Sequence, residues 1–188
     1  MTIDVNYRSV RRETYWFTSN GDICNHCARH ETGCKVKAAL DEEFVEVSKD
    51  KRCADFIPVL GFKQPLLGFE NERFSTFRIG EAWHRRLYVG ALVGLFDLTD
   101  GKVFEYAEIE RLEVANLRDA CISFAKFNHS QLHEDPFDAP NNMFSRMRRL
   151  YGPAIATNDK PTTVIFMRKL NADEVEIRSR YYGLQNTE

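Results

Sequence analysis

Four cysteines, Cys24, Cys27, Cys34 and Cys53, constrain this chain more than any other feature, because their spacing, C-x2-C-x6-C-x18-C, suits one metal ion. A C-x2-C pair turns two thiolates toward a single ion from a tight turn, and Gly33 lets the backbone approach closely before Cys34. Four thiolates close a tetrahedral shell with no position left for water, the pattern of structural rather than catalytic zinc. An iron–sulfur cluster uses the same four-cysteine ligation and is the alternative cofactor. His26 or His30 could replace one cysteine, most simply the distant Cys53. Under oxidising conditions the four would instead form two disulfides. The expected metal contributes folding free energy to the segment Ile23–Phe56 rather than chemistry.

The N-terminal stretch MTIDVNYRSVRRETYW lacks the apolar run of a secretory signal, which predicts a cytoplasmic protein with reduced thiols. The fifth cysteine, Cys121, makes the total odd, and its setting ACISFA is that of a small core residue. No apolar run approaches the roughly 20 residues that cross a bilayer, so no membrane partner is expected. A net charge of −2 gives no global pull on a polyanion. Nucleic-acid binding therefore needs a local basic face, for which Arg73/Arg78, Arg85/Arg86, Arg146/Arg148/Arg149 and Arg168/Lys169 are the candidates.

With 188 residues the chain holds one full domain and a small appendage. Residues 1–60 read as an N-terminal strand, alternating over 5–19, followed by the four-cysteine element with a short helix at Lys35–Glu43. PVLGFKQPLLGF, with two prolines and two glycines, reads as an irregular connector into a domain over 61–188. TFRIG, LYVGALVGLFDL and KVFEYAEIERLEV read as strands, the last two joined by a type I′ turn at Asp100-Gly101. Apolar residues recur at helical spacing over Leu117–Phe127 and Asn141–Tyr151, with the polar loop HSQLHEDPFDAP between them. PTTVIFMRKL and EVEIRSRYY, separated by Asn171-Ala-Asp, read as a closing hairpin. Strands, two helices, then strands predict the α+β class.

The run Arg73-Phe-Ser-Thr76-Phe-Arg78, followed by Gly90-Ala-Leu-Val-Gly-Leu-Phe and Ala107-Glu-Ile-Glu-Arg-Leu-Glu-Val, resembles the ASCH domain family from Phe74 to Leu170. That resemblance implies a small PUA-like β-barrel flanked by helices, here beside a metal-stabilised N-terminal subdomain. It also implies a cleft for RNA, single-stranded nucleic acid or a modified nucleotide. The residue chemistry agrees. Arginine forks bind phosphate bidentately, and hydroxyls donate or accept, which makes Arg73, Ser75 and Arg78 candidate contacts. Trp83 beside His84, Arg85 and Arg86 offers a stacking face next to cations.

Some ASCH relatives hydrolyse an acetylated cytidine with a lysine, a threonine and a glutamate. Thr76 matches the threonine, but Arg73 stands at the lysine position, and a permanently protonated guanidinium cannot serve as a base. Lys126 and His129 occupy the later segment, so Thr76, Lys126 and His129 are the candidate catalytic group of a hydrolase reading. Other relatives resemble ribonucleases. For that chemistry His129, His133, Glu134 and Asp135 offer acid–base groups, with histidine expected to titrate near neutrality. The spacing of His129 and His133 would also suit a metal if the segment were helical. A third reading is a protein-interaction regulator that docks through the four-cysteine element.

Overall fold

The computed structural model describes residues 57–182, with side chains to residue 177. The expected strand at 5–19, the helix at Lys35–Glu43 and all four metal-site cysteines lie outside the described residues. In chain order the elements are β1 (Val59–Phe62), β2 (Arg73–Ile79), α1 (Ala82–Arg86), β3 (Leu92–Asp97) and β4 (Lys102–Asn116). They continue with α2 (Leu117–Phe124), a 3-10 turn (Ala125–Phe127), α3 (Ala139–Tyr151), β5 (Pro161–Lys169) and α4 (Ala172–Tyr182). Parallel and antiparallel pairs both occur, and the helices do not alternate regularly with the strands, so the class is α+β. Among the described residues no helix is long and apolar enough to cross a membrane. The chain divides into two compact units, and β4 contributes its first part to one and its remainder to the other.

In the first unit β1 pairs in parallel with β3, Val59 opposite Gly94 and Phe62 opposite Asp97. The stretch read as a connector thus carries a strand. Its glycine disguises it: a Cβ on Gly61 would come within 2.9 Å of the Leu98 side chain, so the missing side chain makes room for a neighbour. β3 begins later than LYVGALVGLFDL suggests, at Leu92, because Ala91 N–H donates back to the Tyr88 carbonyl and closes a turn. The connection to β4 is a four-residue turn, Leu98–Gly101, not the two-residue type I′ expected from Asp100-Gly101. The Asp97 carboxylate explains the longer turn, accepting from Thr99 N–H at 2.7 Å and Asp100 N–H at 3.4 Å. Gly101 supplies the positive φ, +71°, that closes it. Ile57, Tyr106 and Leu170 form one buried cluster of this unit, with Val59, Leu92, Val103 and Val175 packed around them, and Leu60, Val93 and Leu95 are fully buried as well.

The closing hairpin is absent from the structure: EVEIRSRYY is helical, in α4. The reason is a reciprocal cap. Glu174 N–H donates to Asn171 Oδ1 at 2.9 Å, and Asn171 N–H donates to Glu174 Oε2 at 2.9 Å. Two of the orphan donors of a helix start are thereby satisfied, and Asp173 and Glu174 place negative charge in the first turn.

In the second unit β2 and β5 pair antiparallel, Arg73 opposite Arg168 and Ile79 opposite Thr162, and β5 lies next to β4. α2 buries Leu117, Ala120 and Cys121, and α3 buries Ala139, Met143 and Met147, each at helical spacing. Together with Phe77, Ala125, Ala156 and Val164 these residues form one core. Cys121 is the inert core residue its setting implied, with burial pushing its thiol up to about 12.

Candidate functional site

Alternation along β2 divides its side chains between two faces. Ser75 and Phe77 share the face of their β5 partners Phe166 and Val164, where the helices pack. Phe74, Thr76 and Arg78, opposite Met167, Ile165 and Thr163, share the other. Beside β2 runs the short segment after the 3-10 turn: Asn128 forms a parallel bridge with Ser75, and His129 N–H donates to the Ser75 carbonyl at 3.0 Å. Phe127 is the last residue of the 3-10 turn, so strand alternation does not govern it, and its ring and that of His129 take opposite faces. The contacts agree, with Phe127 6.0 Å from Phe166 and His129 6.4 Å from Phe74, ring centre to ring centre.

His129 is held on several sides. Its Nδ1 lies 2.9 Å from the Leu67 carbonyl, and its ring lies 4.6 Å from that of Phe69. Gly68, at φ +77°, permits this approach, since a Cβ there would lie 1.8 Å from the His129 carbonyl oxygen. Burial pushes the His129 pKa down to about 4; the Leu67 carbonyl opposes the shift, and Arg146 and Arg78 add to it. The expectation that this histidine titrates near neutrality is therefore corrected. At pH 7 it is a neutral imidazole that donates from Nδ1 and carries its lone pair on Nε2.

Arg78 lies half-buried on the same face of β2 as Thr76. Its guanidinium lies near the Tyr151 hydroxyl and sits 5.7 Å from the centre of the Trp83 ring. Burial pulls its pKa below the ordinary arginine value, the Tyr151 contact resists, and the group stays a cation throughout the physiological range. Arg86, on α1, is lowered first by burial and then by its neighbour Arg85. Trp83, read from sequence beside Arg85 and Arg86, has the Arg78 guanidinium at its ring. Arg85 is exposed and reaches Glu81 at 3.4 Å.

Other predicted residues fall elsewhere. Arg73 is exposed and answered by carboxylates, Glu72 at 3.1 Å and Glu110 at 3.1 Å. Its β5 partner Arg168 faces Glu108 at 3.6 Å and Glu110 at 4.0 Å. Ser75 is fully buried with no hydrogen-bond partner on its hydroxyl, and so is not a surface contact. Lys126 is exposed, its ammonium 5.0 Å from the Phe127 ring centre, and Phe127 packs toward Phe166. Thr76 is buried on the face of β2 away from Phe166, whereas Lys126 lies by Phe127 on the Phe166 side, so the expected catalytic trio does not assemble around one point. His133 bonds Glu70 on the surface. Its segment is a turn, and no cluster of metal-ligating side chains occurs among the described residues. Tyr151, Arg146 and Arg111 are the participants that sequence patterning did not single out. Arg146 appeared only within a charge cluster, and Arg111 carried no signal in its strand.

No protein-family model matches the chain, and neither does any curated protein. Two solved structures resemble it. One is a point mutant of the ZmASCH protein from Zymomonas mobilis, at 10% identity and a TM-score of 0.38, covering 69% of this chain and 84% of that one. The other is the ASCH domain from Lactobacillus crispatus, at 16% identity and a TM-score of 0.34, covering 54% of this chain and 67% of that one. Both are described as ASCH proteins, the family that the Arg73–Arg78 segment resembles.

Proposed function

We propose that the second unit is an ASCH-like module that binds a phosphate-bearing ligand of nucleotide chemistry: RNA, single-stranded nucleic acid or a modified nucleotide. The single observation that carries the reading is the setting of Arg78. A half-buried guanidinium against an indole ring, steadied by Tyr151 and close enough to Arg146 that both act on His129, combines charge with a stacking surface. Phosphate binds the fork of an arginine, and a base stacks on an aromatic face. Neutral His129 adds a hydrogen-bonding imidazole rather than a third charge.

The test is binding of a labelled single-stranded oligonucleotide over a range of salt concentrations. Affinity should fall linearly on a log–log plot, because each neutralised phosphate releases counterions. Arg78→Ala should weaken binding about tenfold or more, the worth of one charge-assisted contact. Binding indifferent to salt overturns the reading.

The N-terminal cysteines belong to the same proposal as a separate part. We infer that Cys24, Cys27, Cys34 and Cys53 hold zinc, with an iron–sulfur cluster as the alternative, and what supports this is their number and spacing. Elemental analysis with a visible absorption spectrum separates the two metals. Protein that purifies without metal and ignores chelators, or a Cys53→Ser variant of unchanged stability, overturns the four-cysteine site.

A further inference from the structure

On the strands and α1, Arg73, Arg85, Arg111 and Arg168 each face a glutamate, at 3.1, 3.4, 3.7 and 3.6 Å. The longer helices differ. Arg118 on α2 and Arg146, Arg148 and Arg149 on α3 pair with no carboxylate among the described residues. α3 contains no acidic residue at all. Asp119, next to Arg118 in sequence, points about 100° away around α2. These cations therefore keep their charge for a partner that the described residues do not supply.

The turn of the helix sorts them. Residues three and four apart share a face, so Phe144, Arg148 and Tyr151 form one stripe on α3, with Arg146 and Arg149 off it. The contacts agree. The Arg148 guanidinium lies 5.9 Å from the centre of the Phe144 ring, whereas Arg146 acts on His129. From α2 the Arg118 guanidinium comes within 5.5 Å of the same ring centre, steadied by donating to Asn141 Oδ1 at 3.1 Å. At the other end of the stripe the Tyr151 hydroxyl has Arg78 near it, and Arg78 has the Trp83 ring centre at 5.7 Å. Ring and guanidinium thus alternate through Trp83, Arg78, Tyr151, Arg148, Phe144 and Arg118. Between Phe144 and Tyr151 the helix rises about 10 Å. Arg148 is exposed, and the others are partly open to solvent.

We propose that Arg148, Phe144 and Arg118 extend the Arg78 site into a track for single-stranded nucleic acid, whose backbone runs along α3 with phosphates on the guanidiniums. This rests on the nucleotide reading above and extends it from a single nucleotide to a strand. A guanidinium laid over a ring is already ordered and keeps N–H edges free to fork onto phosphate. The partly open Trp83 and Tyr151 rings give bases a surface to stack on, and cations interleaved with rings are the pattern of single-strand binding. An acidic protein segment would use the charges and leave the rings without stacking partners.

The probes are labelled oligouridine of about twelve nucleotides and uridine monophosphate. Arg148 and Arg149 are adjacent, both exposed and equal in charge, and of the two Arg148 alone is on the stripe. Comparing them separates a track from general attraction. Arg148→Ala is expected to weaken the oligonucleotide about tenfold and to lower its salt slope by about one, with much less effect on uridine monophosphate. Arg118→Ala should act in the same direction. Arg149→Ala should change oligonucleotide affinity by about twofold or less, since a cation off the track acts only through screened charge. Arg78→Ala should weaken both probes. Equal effects of Arg148→Ala and Arg149→Ala, or none from Arg148→Ala and Arg118→Ala, overturn the track and leave the Arg78 reading standing. Wild type binding neither probe overturns both. Polyglutamate bound as tightly as the oligonucleotide, through the same residues, overturns the choice of partner.

Discussion

Arg73 and Arg78 stand at the two ends of one region of β2, and the same side chain has opposite circumstances in the two places. Arg73 is exposed and neutralised by Glu72 and Glu110 within a ladder that also takes in Arg168 and Glu108. Arg78 is half-buried, with the Tyr151 hydroxyl nearby and the Trp83 ring beside it. An exposed ion pair contributes little and leaves little net charge for a ligand. A cation lodged among aromatic rings gives up much of its hydration, and an anion meets it at lower dielectric. The two arginines of the motif are therefore not equivalent, and the contrast can be attacked from either end.

The largest effect is expected at Gly68, whose close approach builds the Arg78 end. Gly68→Ala combines a positive φ with a backbone clash and should cost about 3 kcal/mol or more, read by urea denaturation. Wild-type stability in that variant would mean that the 64–72 loop is not packed on His129. Next comes pH. The folded-state pKa of His129 lies below its unfolded value, so its contribution to stability is present in full above about pH 6.5 and is lost as pH falls through about 4. The loss should reach up to about 3 kcal/mol. His129→Gln should flatten that part of the stability profile, and parallel profiles for variant and wild type would sink the assignment. Third, Arg78→Ala should destabilise by about 1 kcal/mol through the lost contact with the Trp83 ring. Smallest, Arg73→Ala should change stability by about 0–1 kcal/mol and should not alter oligonucleotide affinity severalfold. If the Arg73 variant proved the worse of the two in either measurement, the comparison would be reversed.

Legibility from sequence followed the range of the forces involved. β2, the buried side of α2 and Met143 and Met147 of α3 could be read directly, because apolar spacing reports burial one element at a time, although the same spacing put Leu150 on the apolar side and it is exposed. α4 was misread although its signal was present: Asn171 and Glu174 make a capping box, but Asn-Ala-Asp is equally good turn composition. β1 was missed because Pro58 and Gly61 punctuate it, and the use of Gly61 depends on Leu98, a residue of the following turn. Trp83 was read together with the adjacent Arg85 and Arg86, whereas the guanidinium at its ring is that of Arg78. The true partner arrives from β2 across the turn at Gly80.

What the sequence determined by itself was local: the spacing of four thiols, the alternation of β2, the amphipathic stripes of two helices, and the cap that starts a third. Those follow from the geometry of a few consecutive residues. What only the tertiary structure decided was the state of each polar group. Whether Arg73 or Arg78 is exposed or buried, and whether His129 is a proton carrier or a neutral imidazole, depends on Glu110, Tyr151, Leu67 and Arg146, all distant in sequence. The free energy of a charge is set by burial and by partners brought in through folding, and no pattern of neighbouring residues contains either.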